Sequence, residues 1–208
     1  MTEDAVIPGD SGVDIENVLR VLRQTDVLEA LPRTGWVISR IPQPENVAAH
    51  SYGVALTAMI LSDLIMARPE PPELDRSKAI EMALIHDMGE AYLTDIPSPV
   101  KTFVGRSLVK DGERRAFAKL VDGLGGRMLS LYDEYTAGQS LESRVVHAAD
   151  KIQLFMKVNQ YRAAGYTAVD RFWETSDDTD AQGIPEARTL LDRLAEHYRA
   201  GTWSTGDW

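Results

Sequence analysis

The sequence predicts an all-α fold, and we expect one domain built as a helical bundle. Apolar residues recur at helical spacing through most segments, and no two-residue alternation typical of strands persists for long. With 208 residues, about 44% of them apolar, the chain is long enough to bury one substantial core. We therefore assign residues 13–208 to that single domain and residues 1–12 to a flexible N-terminal tail.

The first predicted helix begins after Asp14, a residue suited to the N-cap, and runs to about Gln24. The segment "LPRTGWVISRIPQPE" then carries three prolines and a glycine. Proline removes a backbone donor and restricts the preceding residue, so this segment is predicted to be a loop. The loop presents Arg33, Trp36 and Arg40 as basic or aromatic candidates for ligand contacts.

A long helix is predicted from about Asn46 to Ala67. It is rich in Ala, Leu, Ile and Met, and it is apolar around so much of its circumference that we place it at the centre of the fold. Asp75 is a suitable cap for the next helix, which we expect to continue through "RSKAIEMALIHDMGEAYL" and to stop before Pro97.

The second half of the chain is also predicted to be helical. The expected elements are two helices within residues 112–136 broken at "DGLGG", one helix over residues 141–164 ended by Gly165, and a final helix from Pro185 to about Gly201. The acidic stretch "ETSDDTDAQG" between the last two is predicted to be a surface loop.

Composition excludes several classes of function. The chain has no cysteine, so disulfides, thiolate zinc sites and cysteine nucleophiles are excluded, and any metal must use nitrogen and oxygen ligands. A formal net charge of −10 disfavours nucleic-acid polymers as partners, although a small anionic substrate stays compatible. Because there is no signal-like N-terminus and no uninterrupted apolar run of about 18 residues, we expect a cytoplasmic protein without a membrane partner.

One short segment concentrates ionisable residues in apolar surroundings. His86 and Asp87 are adjacent, and Glu90 and Asp95 follow within eight positions. Buried charge is costly unless it is paired or bound to a metal. Adjacent helical side chains point about 100° apart, so His86 and Asp87 can straddle one object, with Glu90 one turn further on. The spacing favours a metal site or an acid–base cluster.

A divalent ion with imidazole and carboxylate ligands needs more than this pair, and the other ligands must come from distant helices. His50 and Asp150 are candidates, because each lies in an apolar helical segment. Simpler readings stay open for the remaining acidic residues. Glu90 fits an ordinary helix charge at i, i+4, and Asp95 fits a residue that stiffens the turn before Pro97.

The ordered set of these residues resembles the HD-domain metal-dependent phosphohydrolase superfamily. His50 is followed after 36 residues by His86 and Asp87, and Asp150 follows Asp87 after 63. The motifs "RTGW", "PENVAAHS", "HDMGEAYLTDIPSPVK" and "AADK" are similar to those of the HD-domain 5′-deoxynucleotidases, over roughly residues 30–165. The resemblance implies an HD domain with a central metal site, in which these four residues hold one divalent ion per chain (Co, Mn, Mg, Fe, Ni or Zn).

The resemblance also implies roles for residues around the metal. Glu90 corresponds to the acid–base carboxylate and Asp95 to a carboxylate near the sugar. Arg33 is the expected phosphate contact, with Arg40 and Lys101 as reserves. The implied reaction is release of inorganic phosphate from a (deoxy)nucleoside 5′-monophosphate, and the implied assembly is a homodimer.

Two positions in the loop stand apart: Gly35, where the chain departs from the family pattern, and Trp36, which fits two roles. Some family members carry an arginine immediately before the loop tryptophan, where this chain has Gly35, and this difference weakens the assignment of Arg33. Trp36 is equally suited to a core anchor and to a substrate contact.

Other functions stay open at this point. Binuclear oxygenases and cyclic-dinucleotide phosphodiesterases of the superfamily need additional histidines, and only His147 lies between Asp87 and Asp150. Triphosphohydrolases surround their substrate with more basic residues than this chain offers. The remaining alternatives are an HD-domain hydrolase of another phosphorylated nucleoside or nucleotide intermediate in a specialised pathway, and a non-catalytic, metal-stabilised binding module. Glu90 and Asp95 argue against the module, because a structural metal site does not need them.

Overall fold

The computed structural model describes residues 13–174 and 181–203. The tail predicted for residues 1–12 and most of the predicted acidic loop lie outside these ranges. The described residues contain helices and no strand, so the predicted all-α fold is confirmed. The assignment of residues 13–208 to one domain stays a prediction, and a single core cluster links most of the described helices.

The α-helices of the described residues are, in chain order, α1 (Ile15–Asp26), α2 (Thr34–Ile38), α3 (Val47–Met66), α4 (Arg76–Ile85), α5 (Glu90–Leu93), α6 (Ser98–Val104), α7 (Arg106–Leu120), α8 (Arg127–Ala137), α9 (Leu141–Ala163), α10 (Arg171–Glu174) and α11 (Pro185–Ala200). Short 3₁₀ turns occupy Val27–Glu29 and Thr167–Val169.

The predicted helix starts are confirmed by their capping hydrogen bonds. The Asp14, Asn46 and Asp75 side chains accept a hydrogen bond from a backbone N–H in the first turn of α1, α3 and α4. At the other end of the chain, α11 stops where Gly201 adopts a left-handed conformation with φ 63°. These boundaries follow the sequence closely because each is decided by residues near the helix end.

The centre of the fold is formed by α3, packed against α4 and α9. Among the described helices, α3 alone is long and apolar enough to cross a membrane, with 44% of the relevant window buried inside the protein. The core helix of a soluble protein satisfies the same criterion. The face of α3 that packs against α4 and α9 belongs to the core. This packing brings the first turn of α3, the end of α4 and the middle of α9 together.

The prediction of one continuous helix over residues 76–93 is wrong. Helix α4 ends at Ile85, and residues 86–89 form tight turns before α5. The reason lies in α7, because a Cβ atom at Gly89 would lie 3.2 Å from the backbone oxygen of Glu113. Close approach of two backbones at this glycine replaces regular helix, and it reorients the residues just before it.

Two further differences concern short helices next to prolines. The predicted loop over residues 31–45 contains α2. The Thr34 backbone N–H at the start of α2 donates a hydrogen bond to the Asp95 carboxylate. Helix α6 follows Pro97 and carries Pro99 in its first turn, and Gly105, with φ 101°, separates it from α7. Proline is tolerated in the first turn of a helix, so the prolines that led to a loop prediction here do not exclude short helices.

Candidate metal centre

Three side chains meet at one point, His50 from the first turn of α3 and His86 and Asp87 from the turn after α4, and Asp150 of α9 joins them beside His50. We call His50, His86, Asp87 and Asp150 the four-residue cluster. His50 Nε2 lies 3.2 Å from Asp150 Oδ1 and 3.5 Å from Asp87 Oδ2, and His86 Nε2 lies 3.3 Å from Asp87 Oδ2. His50, His86 and Asp87 each offer one donor atom, and these three atoms lie within 4.8 Å of one another. Ligands with bonds of about 2.1 Å at a right angle are ~3 Å apart, so the spacing suits one ion.

Both histidines direct Nε2 into the cluster. His50 Nδ1 lies 2.8 Å from Gln153 Oε1, and His86 Nδ1 lies 2.7 Å from the Ala83 carbonyl oxygen. These oxygens only accept hydrogen bonds, so each Nδ1 carries a proton, and Nε2 holds the lone pair whenever the ring is neutral. Both Nε2 atoms are buried without a hydrogen-bond partner in the described structure. Two such orphaned nitrogens beside two carboxylates fit a divalent first-row metal.

The charge around the cluster also favours a cation. Arg33 Nη1 lies 2.9 Å from Asp87 Oδ2, 3.6 Å from Asp95 Oδ1 and 3.8 Å from Glu90 Oε1. Three carboxyl groups therefore lie within 4 Å of one guanidinium, and the charge of Asp150 also acts on it. A positive ion reduces the repulsion that these groups would otherwise exert on one another.

The two candidate carboxylate ligands are held in the ionised form. Burial raises the pKa of Asp87, but His86 and Arg33 have the larger combined effect and bring this pKa well below its usual range. Burial likewise raises the pKa of Asp150, but its 3.2 Å contact with His50 Nε2 and the nearby charge of Arg33 bring it well below its usual range. Ionised carboxylates are the form in which a metal is bound.

Glu90 behaves in the opposite way. Burial raises its pKa to about 10, with the neighbouring charge of Asp87 adding to the effect and Arg33 opposing it. Its Oε2 atom is buried and has no hydrogen-bond partner within the described residues. Without a metal, Glu90 therefore holds a proton at neutral pH, and a cation at the four-residue cluster would lower its pKa.

We expect Glu90 to make the stability of the metal-free protein depend on pH. Its ordinary pKa is 4.5 and its folded pKa is about 10, so between these values the unfolded chain loses this proton and the folded chain keeps it. The free energy of unfolding contributed by Glu90 therefore falls as pH rises through this window. Glu90→Gln should remove this decline. Urea unfolding of the metal-free protein at pH 5 to 9 tests it.

The control for this measurement is Glu81→Gln, which changes an exposed glutamate on α4 that pairs with Arg127. It should leave the decline in place. If the free energy of unfolding depends on pH equally in wild type and in Glu90→Gln, Glu90 is not the buried acid that its surroundings indicate.

Asp95 connects the site to the segment that carries Arg33. Its carboxylate accepts a hydrogen bond from the Thr34 backbone N–H, and its carbonyl oxygen accepts one from Thr34 Oγ1 at 2.8 Å. The preceding residue, Thr94, has φ 60°, which is strained for a β-branched residue. Asp95 thus stiffens this turn, as the sequence allowed, and its contact with a sugar stays a prediction.

The other predicted substrate contacts lie at different distances from the cluster. Lys101 pairs with Glu113 at 3.1 Å in a cavity beside Glu90. Arg40 is exposed, and in the ranges that the structure describes it makes no ion pair with the cluster or with Glu90. The substrate-binding role of Arg40 therefore receives no support from its position.

Trp36 is 2% exposed, and its ring packs against Tyr161 and Phe172 with centroids 5.1 and 4.9 Å away. Of the two roles left open by the sequence, this burial favours the core anchor. Gly35 lies beside the same ring, and a Cβ atom there would meet Phe172 at an ordinary contact distance of 3.4 Å.

A cavity of about 420 Å³ opens beside Asp87 and Glu90, and sequence reasoning missed most of its lining. Lys110 and Arg114 lie one turn apart on α7, and Tyr135 comes from α8. Burial raises the pKa of Tyr135 well above its usual value, so it stays a neutral hydroxyl. The i, i+4 spacing of the two basic residues was the available signal.

His147 also lines this cavity, where its ring stacks on Tyr135 with centroids 4.5 Å apart. Its Nε2 atom lies 3.1 Å from the Tyr135 carbonyl oxygen and donates to it. This contact turns the nitrogen toward α8. His147 is thus half-buried beside the cluster.

Comparisons with known proteins place this geometry in context. A family model described as an HD domain matches residues 25–188. The 5′-deoxynucleotidase HDDC2 of Danio rerio is 27% identical over 200 residues, which cover 93% of this chain and 96% of that protein. The structure of the PH0347 protein from Pyrococcus horikoshii OT3 is 34% identical with a TM-score of 0.71, covering 89% of this chain and 98% of the other.

A more distant structure is the cyanophage S-2L HD phosphohydrolase DatZ, described as bound to dA and one catalytic Zn²⁺ ion. It is 17% identical with a TM-score of 0.53, and the alignment covers 86% of this chain and 96% of the other. At this identity the likeness concerns the fold alone.

Proposed function

The chain belongs to the HD domain family, and from this premise we propose that it is a metal-dependent 5′-deoxynucleotidase. The enzyme releases inorganic phosphate from deoxynucleoside 5′-monophosphates. The observation that carries the proposal is the pair of buried, unpartnered His50 and His86 Nε2 atoms facing Asp87, beside the buried acid Glu90. Support also comes from the curated relatives, which include 5′-deoxynucleotidases of Danio rerio and Homo sapiens.

In this proposal the four-residue cluster holds one divalent ion per chain, drawn from Co, Mn, Mg, Fe, Ni or Zn. When bound, such an ion lowers the pKa of water and polarises a phosphoryl oxygen. The donor set of two imidazoles and two carboxylates suits these metals and leaves the choice among them open.

The reaction is hydrolysis of one phosphoester bond. Water attacks phosphorus, the bond between phosphorus and the 5′-oxygen breaks, and the products are inorganic phosphate and a nucleoside. Glu90 accepts a proton from the attacking water and returns one to the departing 5′-oxygen, so the carboxyl group ends as it began. Its buried position next to Asp87 makes it a strong enough base to hold that proton.

Arg33 is the proposed contact for the phosphate. Its guanidinium already lies between Asp87, Glu90 and Asp95. Burial lowers the pKa of Arg33, but the charges of these carboxyl groups outweigh burial and keep the guanidinium protonated. A phosphate group offers two oxygens to such a fork and takes up negative charge as the bond breaks. Asp95 holds the segment that positions Arg33 through its hydrogen bonds to Thr34.

The nucleoside is proposed to occupy the 420 Å³ cavity beside Glu90. Lys101, Lys110 and Arg114 lie along its walls, where Lys101 pairs with Glu113 and Arg114 with Asp133. A cavity of this size favours a small molecule over a nucleic-acid polymer.

We also propose that the enzyme is a cytoplasmic homodimer. Helix α3 presents an exposed apolar stripe at four-residue spacing, formed by Tyr52, Leu56, Ile60 and Leu64. Exposed apolar stripes of this kind are typical of contact surfaces, and they support assembly of two chains.

The proposal is tested by a phosphate-release panel. Deoxy- and ribonucleoside 5′-monophosphates, a nucleoside triphosphate and other phosphorylated nucleosides are incubated with metal-stripped protein, with and without each ion. We expect metal-dependent release from the deoxynucleoside monophosphates. Release from another phosphorylated nucleoside alone would favour the specialised hydrolase, and binding of nucleotide without release would favour the non-catalytic module.

A further inference from the structure

A buried chain of three polar side chains runs away from the metal centre behind His50. The Gln153 amide donates to Glu45 Oε1 at 2.6 Å, and Gln153 Oε1 lies 2.8 Å from His50 Nδ1. The Glu45 side chain is 2% exposed, and Gln153 as a whole is 5% exposed. Three polar groups buried in series make a hydrogen-bond network in which each member constrains the next.

The direction of this network is decided at its acidic end. An ionised carboxylate only accepts hydrogen bonds, so Gln153 must turn its NH₂ group toward Glu45. Its oxygen then faces His50, and this oxygen can only accept, so His50 must carry its proton on Nδ1. With the amide reversed, two oxygens would meet at 2.6 Å without a proton between them.

We infer that Glu45, acting through Gln153, sets the tautomer of His50 and so keeps the Nε2 lone pair available to a metal. Gln153 contacts His50 at Nδ1 and Glu45 acts through Gln153, so both are positioning residues. The inference rests on the metal centre of the proposed function, and its first test needs no catalysis.

The surroundings of His50 explain why such a device is needed. Its Nε2 atom lies 3.2 Å from Asp150 Oδ1 and 3.5 Å from Asp87 Oδ2. The tautomer with its proton on Nε2 would point an N–H at these carboxylates, and that tautomer cannot ligate a metal through Nε2. His86 does not depend on a side chain in this way, because the backbone oxygen of Ala83 holds its Nδ1 proton.

The packing of α3 admits Gln153 at a specific position. A Cβ atom at Gly53 would lie 3.0 Å from Gln153 Cγ and 3.2 Å from its Nε2. Glycine inside a helix weakens the helix, so its presence here is explained by the amide that it lets in. Glu45 is held in turn by Lys157 Nζ at 3.5 Å and by its own N–H, which donates to Tyr161 Oη at 2.9 Å.

The test begins with Gln153→Met, which fills the space and removes the amide. Nitrogen NMR of the histidine rings in the metal-free protein should show His50 protonated on Nδ1 in wild type and on Nε2 in the variant. Calorimetric titration with Mn²⁺ or Co²⁺ should show affinity lower by about 10- to 100-fold, the usual effect of removing a partner of a metal-binding histidine.

A second test compares a single variant, which removes the carboxylate at residue 45, with a double variant, which exchanges residues 45 and 153. Glu45→Gln alone lets both amides reverse, and it should give mixed tautomers and intermediate affinity. The double variant E45Q/Q153E moves the carboxylate one step along the chain, where residue 45 donates and residue 153 still accepts from His50. It should restore the Nδ1 tautomer and most of the affinity.

The matched control is Asn159→Leu, which removes another buried amide from α9. Asn159 is 1% exposed and donates to the Leu194 carbonyl oxygen, away from His50. The control should lose stability while keeping the Nδ1 tautomer and the wild-type metal affinity.

Three results would overturn the inference: Nδ1 protonation in Gln153→Met, unchanged affinity in that variant, or an equal loss of affinity in Asn159→Leu. If Gln153→Met does not fold, failure of E45Q/Q153E to recover the tautomer lost in Glu45→Gln overturns it equally. Absence of phosphate release would contradict the proposed function and leave the tautomer and affinity results to decide this inference separately.

Discussion

Asp87→Ala is expected to lose the bound ion and to reduce phosphate release to background. Asp87 Oδ2 lies within 3.5 Å of both His50 Nε2 and His86 Nε2, so it is the atom that joins the two imidazoles into one site. Without it, the remaining ligands are too few and Arg33 loses its nearest partner, at 2.9 Å. The variant removes a ligand and a charge at once.

Metal content and thermal unfolding measure this effect together. An ion that binds the folded state alone stabilises wild type by about 2.7 kcal/mol when supplied at 100 times its Kd. The thermal midpoint of wild type should therefore rise on adding metal, and that of Asp87→Ala should stay constant. Elemental analysis should find one ion per wild-type chain and none in the variant.

The control is Asp63→Ala, which removes an exposed aspartate of α3 that pairs with Arg76. Its metal content and its response to metal should match wild type. Retention of one equivalent of ion by Asp87→Ala would remove Asp87 from the ligand set.

Glu90→Gln is expected to keep the ion and to lower phosphate release by about 10²-fold or more, the usual scale for a general acid–base group. Glutamine keeps the shape of the side chain but cannot take up a proton from water. Because the Glu90 side chain is 15% exposed and its Oε2 has no partner in the described structure, few other contacts change with the substitution. Steady-state turnover and elemental analysis on the same preparation separate catalysis from metal binding.

The control is Glu81→Gln, which makes the same substitution at the glutamate of α4 that pairs with Arg127, and it should retain full turnover. Near-normal turnover in Glu90→Gln would contradict the acid–base role and move attention to Asp95. Loss of the ion would instead make Glu90 a ligand and the four-residue cluster incomplete.

The features that could be predicted from sequence are those decided locally or by ordered motifs. The caps Asp14, Asn46 and Asp75 and the stop at Gly201 each act within one helical turn, so the helix ends followed from neighbouring residues. His50, His86, Asp87 and Asp150 were predicted as ligands from the resemblance of their ordered motifs to the HD-domain family, and the packing of α3, α4 and α9 brings them close to one another.

The missed features depend on contacts between distant parts of the chain. The break after Ile85 arises because α7 meets Gly89, and nothing in residues 76–93 alone shows that approach. Gln153 lies 108 positions from Glu45, and a glutamine within an apolar helix has no pattern that points to such a partner. Lys110 and Arg114 belong to a surface helix until α5 and α8 complete the cavity around them.

The most direct measurement is a metal titration of phosphate release. Metal-stripped protein at a concentration well above the Kd for the ion is titrated with Mn²⁺ or Co²⁺ while phosphate release from deoxyadenosine 5′-monophosphate is followed. One catalytic ion per chain predicts almost no release at the start, a linear rise, and a plateau at one equivalent. Release that is already complete in the stripped protein, or that is absent at every metal concentration and with every monophosphate, would contradict a metal-dependent 5′-deoxynucleotidase.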